Sequence, residues 1–280
     1  MNQTEKIELD SEDVEKYTNF KKKKTGQTYA IKILFEDKNN QDFIGTFLSE
    51  IGIISQLEYP TLLCLQGITM DNPPYIIMEY MPNDSLHTYI DKASKGQIDE
   101  KWDLTHKIIA FLGISFGMEY LHSQNIVHRD LKPGNVLLDS NFYPRIGDFG
   151  FSKIATSSKK LSTNFGTPLF SALEQMGSPN YDGRKADVFS FGMTLYSILY
   201  DEFPFGGNVI DGIRKLIMGE RPELTENVIS KSMNDLISKF WDSDPKKRPY
   251  FEEISKELLN EVSKLIERKE FNEEEIQKIE

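Results

Sequence analysis

The sequence predicts an α+β protein in two lobes, and three observations predict it. Short apolar runs that read as strands precede Pro82, long patterns at helical spacing fill the chain from Asn83 onward, and 280 residues can bury a full core. The composition, 39% hydrophobic and 28% charged, is that of an ordinary soluble protein. Residues 1–81 form the expected strand-rich N-terminal lobe, 82–268 the helical C-terminal lobe, and 269–280 a charged, solvated tail.

In chain order, "TYAIKILF" at 28–35 alternates as a strand, which sets Lys32 on one face with Ala30 and Leu34. A lysine there needs a reason. The segment 43–57 spaces Phe43, Phe47, Ile51, Ile54 and Leu57 as a helix, weakened by Gly45 and Gly52. Glu50 falls on its apolar face, where a carboxylate needs a cationic partner. "TLLCLQGIT" and "YIIMEYM" read as strands about the turn "DNPP". Helical patterns follow at 85–93, 103–123, 187–200, 209–218, 231–241 and 251–268.

Charge and composition exclude several roles. A net charge of −11 argues against general binding to nucleic acid or anionic membranes, which require a basic surface. The run "KKKK" at 21–24 reads as a solvated hairpin tip before Thr25-Gly26. The apolar runs near 108–118 and 188–200 fall short of the roughly 18 residues a membrane span needs, so no membrane insertion is expected. The acidic N-terminus lacks the pattern of a secretory signal. Cys64 is the single cysteine, which fits a reducing, cytoplasmic setting.

The chemistry concentrates in two clusters. In "HRDLKPGN", Asp130 and Asn135 sit on a loop stiffened by Pro133, ahead of the short apolar strand "VLL". After the turn "DSNFYP", a second short strand in "RIGDFG" ends at Asp148, with Gly150 freeing the backbone to bend. A hairpin of these strands brings Asp148 near Asn135, an acid and an amide oxygen of the hard type that Mg²⁺ prefers. Asp130 and Lys132 are left to face a substrate, as a base and as a cation for developing phosphate charge.

These residues resemble the eukaryotic protein kinase family, whose catalytic loop reads H-R-D-x-x-x-x-N and whose metal motif reads D-F-G. The resemblance runs from about Thr25 to Arg248, and the eighteen-residue gaps from Lys32 to Glu50 and from Asp130 to Asp148 match the family's spacing. It implies the two-lobed protein kinase fold and a protein serine/threonine kinase that uses ATP and Mg²⁺ on a protein substrate. On this resemblance Lys32, held by Glu50, contacts the α- and β-phosphates, while Asp130 accepts the proton of the substrate hydroxyl. Lys132 neutralises the transferred group, and Asn135 and Asp148 hold the Mg²⁺ ions. The adenine is expected against backbone groups of Glu79 and Met81 and between Ala30 and Leu137, with Met78 gating the pocket behind it. His128, Phe149, Ile54 and Leu65 are expected to pack and align the lobes.

Downstream, "GTPLFSALE" looks like the family's G-T-x-x-[YF]-x-A-P-E with Leu173 in place of proline, and "DVFSFG" like D-V-W-S-x-G. Glu174 is expected to pair with Arg248, and Asp187 to brace the catalytic loop. The wording "LKPGN" and Thr167 resemble the serine/threonine branch, and "GMEYLHSQNIVHRDLKPGNVLLD" the tyrosine-kinase-like group within it. Arg129 is placed to meet a phosphate on the loop bearing Ser157, Ser158, Ser162 and Thr163, with Thr163 the first choice.

One motif departs. The family's phosphate-covering G-x-G-x-x-G-x-V should precede Lys32, but with Val14 as its valine the glycine positions fall on Ile7, Leu9 and Glu12. Glu8, Asp10, Glu12 and Asp13 would bring negative charge toward the nucleotide. Three readings stand open: an active enzyme with an unorthodox lid, a pseudokinase serving as a scaffold, or a start that lies upstream. The complete set Lys32, Glu50, Asp130, Lys132, Asn135 and Asp148 favours the enzyme.

Overall fold

The structure, a computed structural model, describes residues 18–21, 28–33, 51–69, 75–97, 101–149, 152–154, 168–177, 180–226 and 228–266. The N-terminal part is an antiparallel four-stranded sheet in the order β1-β2-β4-β3, from β1 (Thr18–Lys21), β2 (Thr28–Ile33), β3 (Leu65–Thr69) and β4 (Tyr75–Glu79). β1 pairs antiparallel with β2, and Lys21, expected in a solvated hairpin tip, is the last residue of β1, opposite Thr28; residues 22–27 lie outside the described residues. Register sets Ala30 opposite Met78 and Lys32 opposite Ile76, so Ala30 and Lys32 share one face of β2.

The strand expected over 61–69 begins only at Leu65. Residues 61–63 instead run beside the helical lobe, where Ile146 N donates to Thr61 O at 2.8 Å and Leu63 N to Ile146 O at 2.9 Å. Of the helix expected over 43–57, residues 51–54 are helical, and Phe43, Phe47, Gly45 and Glu50 lie outside the described residues.

The C-terminal part holds α1 (Leu86–Ser94), α2 (Leu104–Ser123), α3 (Leu173–Gly177), α4 (Gly183–Tyr200), α5 (Val209–Ile217), α6 (Lys231–Phe240) and α7 (Phe251–Ile266). Short strands β5 (Ile126–Val127) and β8 (Lys153–Ile154) pair with each other, and β6 (Val136–Leu138) forms the anticipated hairpin with β7 (Pro144–Ile146). α2 and α4 are apolar around most of their circumference because they form the centre of the core, whereas α5, α6 and α7 bury one face. α4 starts four residues before the expected Asp187, since the Asp182 carboxylate accepts from the amides of Arg184 and Lys185 and caps the helix there. Asp103 caps α2 in the same way through His106 N.

The core joins the two parts. Ile54 and Phe149 are buried in the large cluster that includes Leu62, Met118, Phe191 and Phe251, and Leu65 packs on its edge. Packing of the β6–β7 hairpin on α2 depends on two glycines one helical turn apart. A Cβ at Gly117 would lie 2.5 Å from Thr61 Oγ1 and 2.8 Å from Ile146 Cδ1, and one at Gly113 2.5 Å from Pro144 Cγ. Gly117→Ala therefore overpacks the contact that seats the hairpin. We expect a loss of about 1–3 kcal/mol, read as a fall in Tm of about 2–4 °C for each kcal/mol.

Candidate active site

The loop between β5 and β6 is organised by one buried carboxylate. Asp187, fully buried on α4, accepts from His128 N at 2.8 Å and Arg129 N at 2.7 Å, and its Oδ2 also meets His122 Nε2 at 2.9 Å. Backbone amides and an imidazole thus satisfy a charge that could not otherwise be buried. Arg129 takes a left-handed backbone, φ 73°, which a non-glycine residue keeps only when its surroundings hold it.

His128 links this loop to the segment ending at Asp148. Its Nδ1 accepts from Asp130 N at 3.3 Å, so Nε2 carries the proton and donates to Gly147 O at 3.1 Å. The same ring lies 5.5 Å from Phe149, centroid to centroid. His128 and Phe149 are both buried and pack together where these two segments meet.

Asp130 sits at the centre of a polar cluster. Lys132 Nζ donates to its Oδ2 at 2.7 Å, and Asn135 Nδ2 donates to the same oxygen at 2.9 Å and to Asp130 O at 2.7 Å. With its nitrogen committed, Asn135 has Oδ1 as the atom able to ligate a cation. Pro133 opens the 3₁₀ turn Pro133–Asn135 that fixes this spacing. Across the hairpin, Gly147 N donates to Asn135 O at 2.9 Å, and Asp148 follows with φ 60°. Lys32 Nζ reaches Asp148 Oδ1 at 3.0 Å, which brings the odd lysine of β2 onto the acid of the hairpin.

Beside this cluster lies a cavity of about 440 Å³, within the range of small-molecule sites. Ala30 and Leu137 line it, with Met78 in β4, Met81 in the segment that connects β4 to α1, and Lys32, Asn135 and Asp148 among its polar groups. Asp130 and Lys132 are not in its lining and reach it through Asn135. Glu79 is also outside the lining: its N–H donates to Cys64 O at 3.4 Å, and its carboxylate accepts from Cys64 N at 3.0 Å. Glu50 lies outside the described residues, as do Gly150, Thr167, the acidic segment 7–14 and the loop hydroxyls Ser157, Ser158, Ser162 and Thr163.

Sequence reasoning missed Asp84, which lines the cavity mouth with φ 63° and accepts from Ser85 N at 2.7 Å. It also missed Gln175 and Tyr181. Gln175 Nε2 donates to Arg129 O at 2.7 Å, and the Tyr181 hydroxyl accepts from Arg129 Nε at 3.0 Å. Neither carried a signal, because both contacts cross about fifty residues of chain. The downstream pair is as expected: Arg248 donates to Glu174 at 2.5 and 3.3 Å and to Lys185 O at 2.9 Å, so Leu173 in place of proline leaves that anchor intact. Among the described residues no helix is long and apolar enough to cross a membrane.

The sequence matches the family described as protein kinase domain over residues 15–259. Among curated proteins, a probable serine/threonine-protein kinase of Dictyostelium discoideum is 36% identical over 238 residues, covering 83% of this chain and 18% of that protein. The dual specificity protein kinase shkB of the same organism is 32% identical over 252 residues, 85% of this chain and 37% of its own length. The CBL-interacting serine/threonine-protein kinase 20 of Arabidopsis thaliana is 34% identical over 237 residues, 82% of this chain and 52% of its own. The chain thus spans about half or less of the length of these relatives.

Behind the connecting segment, burial first and then the Glu79 carboxylate push the Cys64 thiol above its ordinary range. A raised pKa leaves less thiolate at a given pH. Cys64 is therefore expected to alkylate with iodoacetamide at pH 8 at least about threefold more slowly than free cysteine, with the gap closing as pH rises.

Proposed function

The chain belongs to the protein kinase family, and we propose that it transfers the γ-phosphoryl of MgATP to serine and threonine hydroxyls of proteins. One observation carries the proposal. The hydrogen-bonded group Asp130, Lys132 and Asn135 adjoins the Lys32–Asp148 pair at a single cavity with apolar walls.

In this reading Ala30 and Leu137 sandwich the purine, Met78 gates the space behind it, and backbone groups of Glu79 and Met81 recognise its edge. The Glu79 carboxylate, bonded to Cys64, holds that segment in place from the rear. Lys32 binds phosphate oxygens, and Glu50 is its proposed partner. Asn135 Oδ1 and the Asp148 carboxylate are hard oxygen donors that fit Mg²⁺, which takes its remaining ligands from water and phosphate. When bound, the ion supplies neutralising charge at the phosphate oxygens. Asp130 orients the substrate hydroxyl and accepts its proton, and Lys132 moves from the Asp130 carboxylate toward the charge developing on the transferred group. The lobe division near Met81-Pro82, the cytoplasmic setting and loop phosphorylation opposite Arg129 belong to the same proposal.

The rival reading is a scaffold without catalysis, favoured by the acidic residues Glu8, Asp10, Glu12 and Asp13 where the family carries glycines. Transfer of labelled γ-phosphate to a generic basic protein separates the two. Wild type is expected to transfer label, and Asp130→Asn to lose at least about 100-fold in kcat. No transfer by folded wild type at millimolar ATP would give the scaffold the lead.

A further inference from the structure

We propose that Gln175 is a positioning residue that fixes the peptide carrying Asp130; the inference rests on the catalytic role given to Asp130 above. Gln175 is 3% exposed on α3, and only its nitrogen is used. Its Oε1 is buried with no hydrogen-bond partner among the described residues. A buried amide whose oxygen is unsatisfied is destabilising relative to an apolar side chain of the same size. For stability alone, methionine or leucine would serve better here. What the amide gives in return is the 2.7 Å bond to Arg129 O.

That carbonyl occupies a decisive place. It belongs to the peptide whose other end is Asp130 N, and that end donates to His128 Nδ1 over a longer 3.3 Å. Arg129 itself has φ 73°, a backbone conformation that survives by being over-determined. Its N–H is fixed by Asp187, its side chain meets Tyr181, and its carbonyl is fixed by Gln175. Without the last of these the peptide plane can rotate, and Asp130 turns with it.

Both backbone restraints on Arg129 come from one rigid assembly. Asp187 lies on α4, and the Glu174 next to Gln175 is tied to α4 because Arg248 bridges Glu174 and Lys185 O. Gln175 thereby couples α3 and its pair to the angle of the base. A misplacement of about 1 Å at such a group can cost about 100-fold in rate.

Gln175→Met tests this, since it keeps the volume and removes both the donor and the orphaned oxygen. The expected result is a Tm equal to or above wild type, kcat lowered about tenfold, and KM for ATP within about twofold. Hydrogen exchange at the Asp130 amide should accelerate about tenfold while the α4 amides keep their protection. A kcat within about twofold of wild type, or a loss of rate that only follows a loss of Tm, would overturn the proposal. If wild type itself transfers no phosphate, the proposed function fails. The exchange measurement still decides the positioning role, because unchanged Asp130 protection would overturn it.

Discussion

The active centre depends on the burial of one carboxylate. Asp187 is carried into the interior by a helix whose residues from Gly183 to Leu199 are almost all buried, so its position is set by the packing of the whole C-terminal core. An unpaired charge there would be very costly, and the cost is met by drawing in two loop amides and His122. The loop is therefore shaped by the need to solvate that acid. A strained Arg129 and a fixed starting point for Asp130 follow from it.

From this anchor the order of the site spreads outward by short steps. The His128 ring spans from the catalytic loop to Gly147, Asn135 spans from Asp130 to the β6–β7 hairpin, and Lys32 spans from the sheet to Asp148. The first of these bridges joins residues 19 apart in sequence and the last joins residues 116 apart. The hairpin in turn sits on α2 only because two glycines open its surface, and residues 61–63 lie along the same edge to bind the N-terminal part. Geometry at the cavity is thus secured by core packing on one side and by a short chain of polar contacts on the other.

Much of this was legible in the sequence because the relevant signals are local. Helical spacing located α1, α2, α5, α6 and α7 within a few residues, and the short strands around the "DSNFYP" turn implied the hairpin that brings Asn135 and Asp148 together. Lys32 stood out as a lysine sharing a strand face with Ala30 and Leu34, whereas Asp187 was expected only from the family resemblance. Contacts set by tertiary packing were not legible. The amide of Gln175, the hydroxyl of Tyr181 and the mouth residue Asp84 look like ordinary polar residues until the chain is folded. β5 and β8 are two residues each, too short for any periodicity, and residues 61–63 continue the apolar run of β3 yet are claimed by a different neighbour.

The electrostatic balance of the cavity decides the account. Among the described residues that line it, Lys32 stands against Asp84 and Asp148, with the Lys132–Asp130 pair beside Asn135. A tetra-anionic nucleotide is accepted into such a setting only when a divalent ion compensates the acids. Calorimetric titration of the protein with ATP, in the presence and absence of Mg²⁺, reads this directly. The account predicts saturable binding with a Kd of about 1 mM or tighter, weakened at least about tenfold without Mg²⁺. Absence of saturable binding to the folded protein with Mg²⁺ present, or equal affinity with and without the ion, would contradict it.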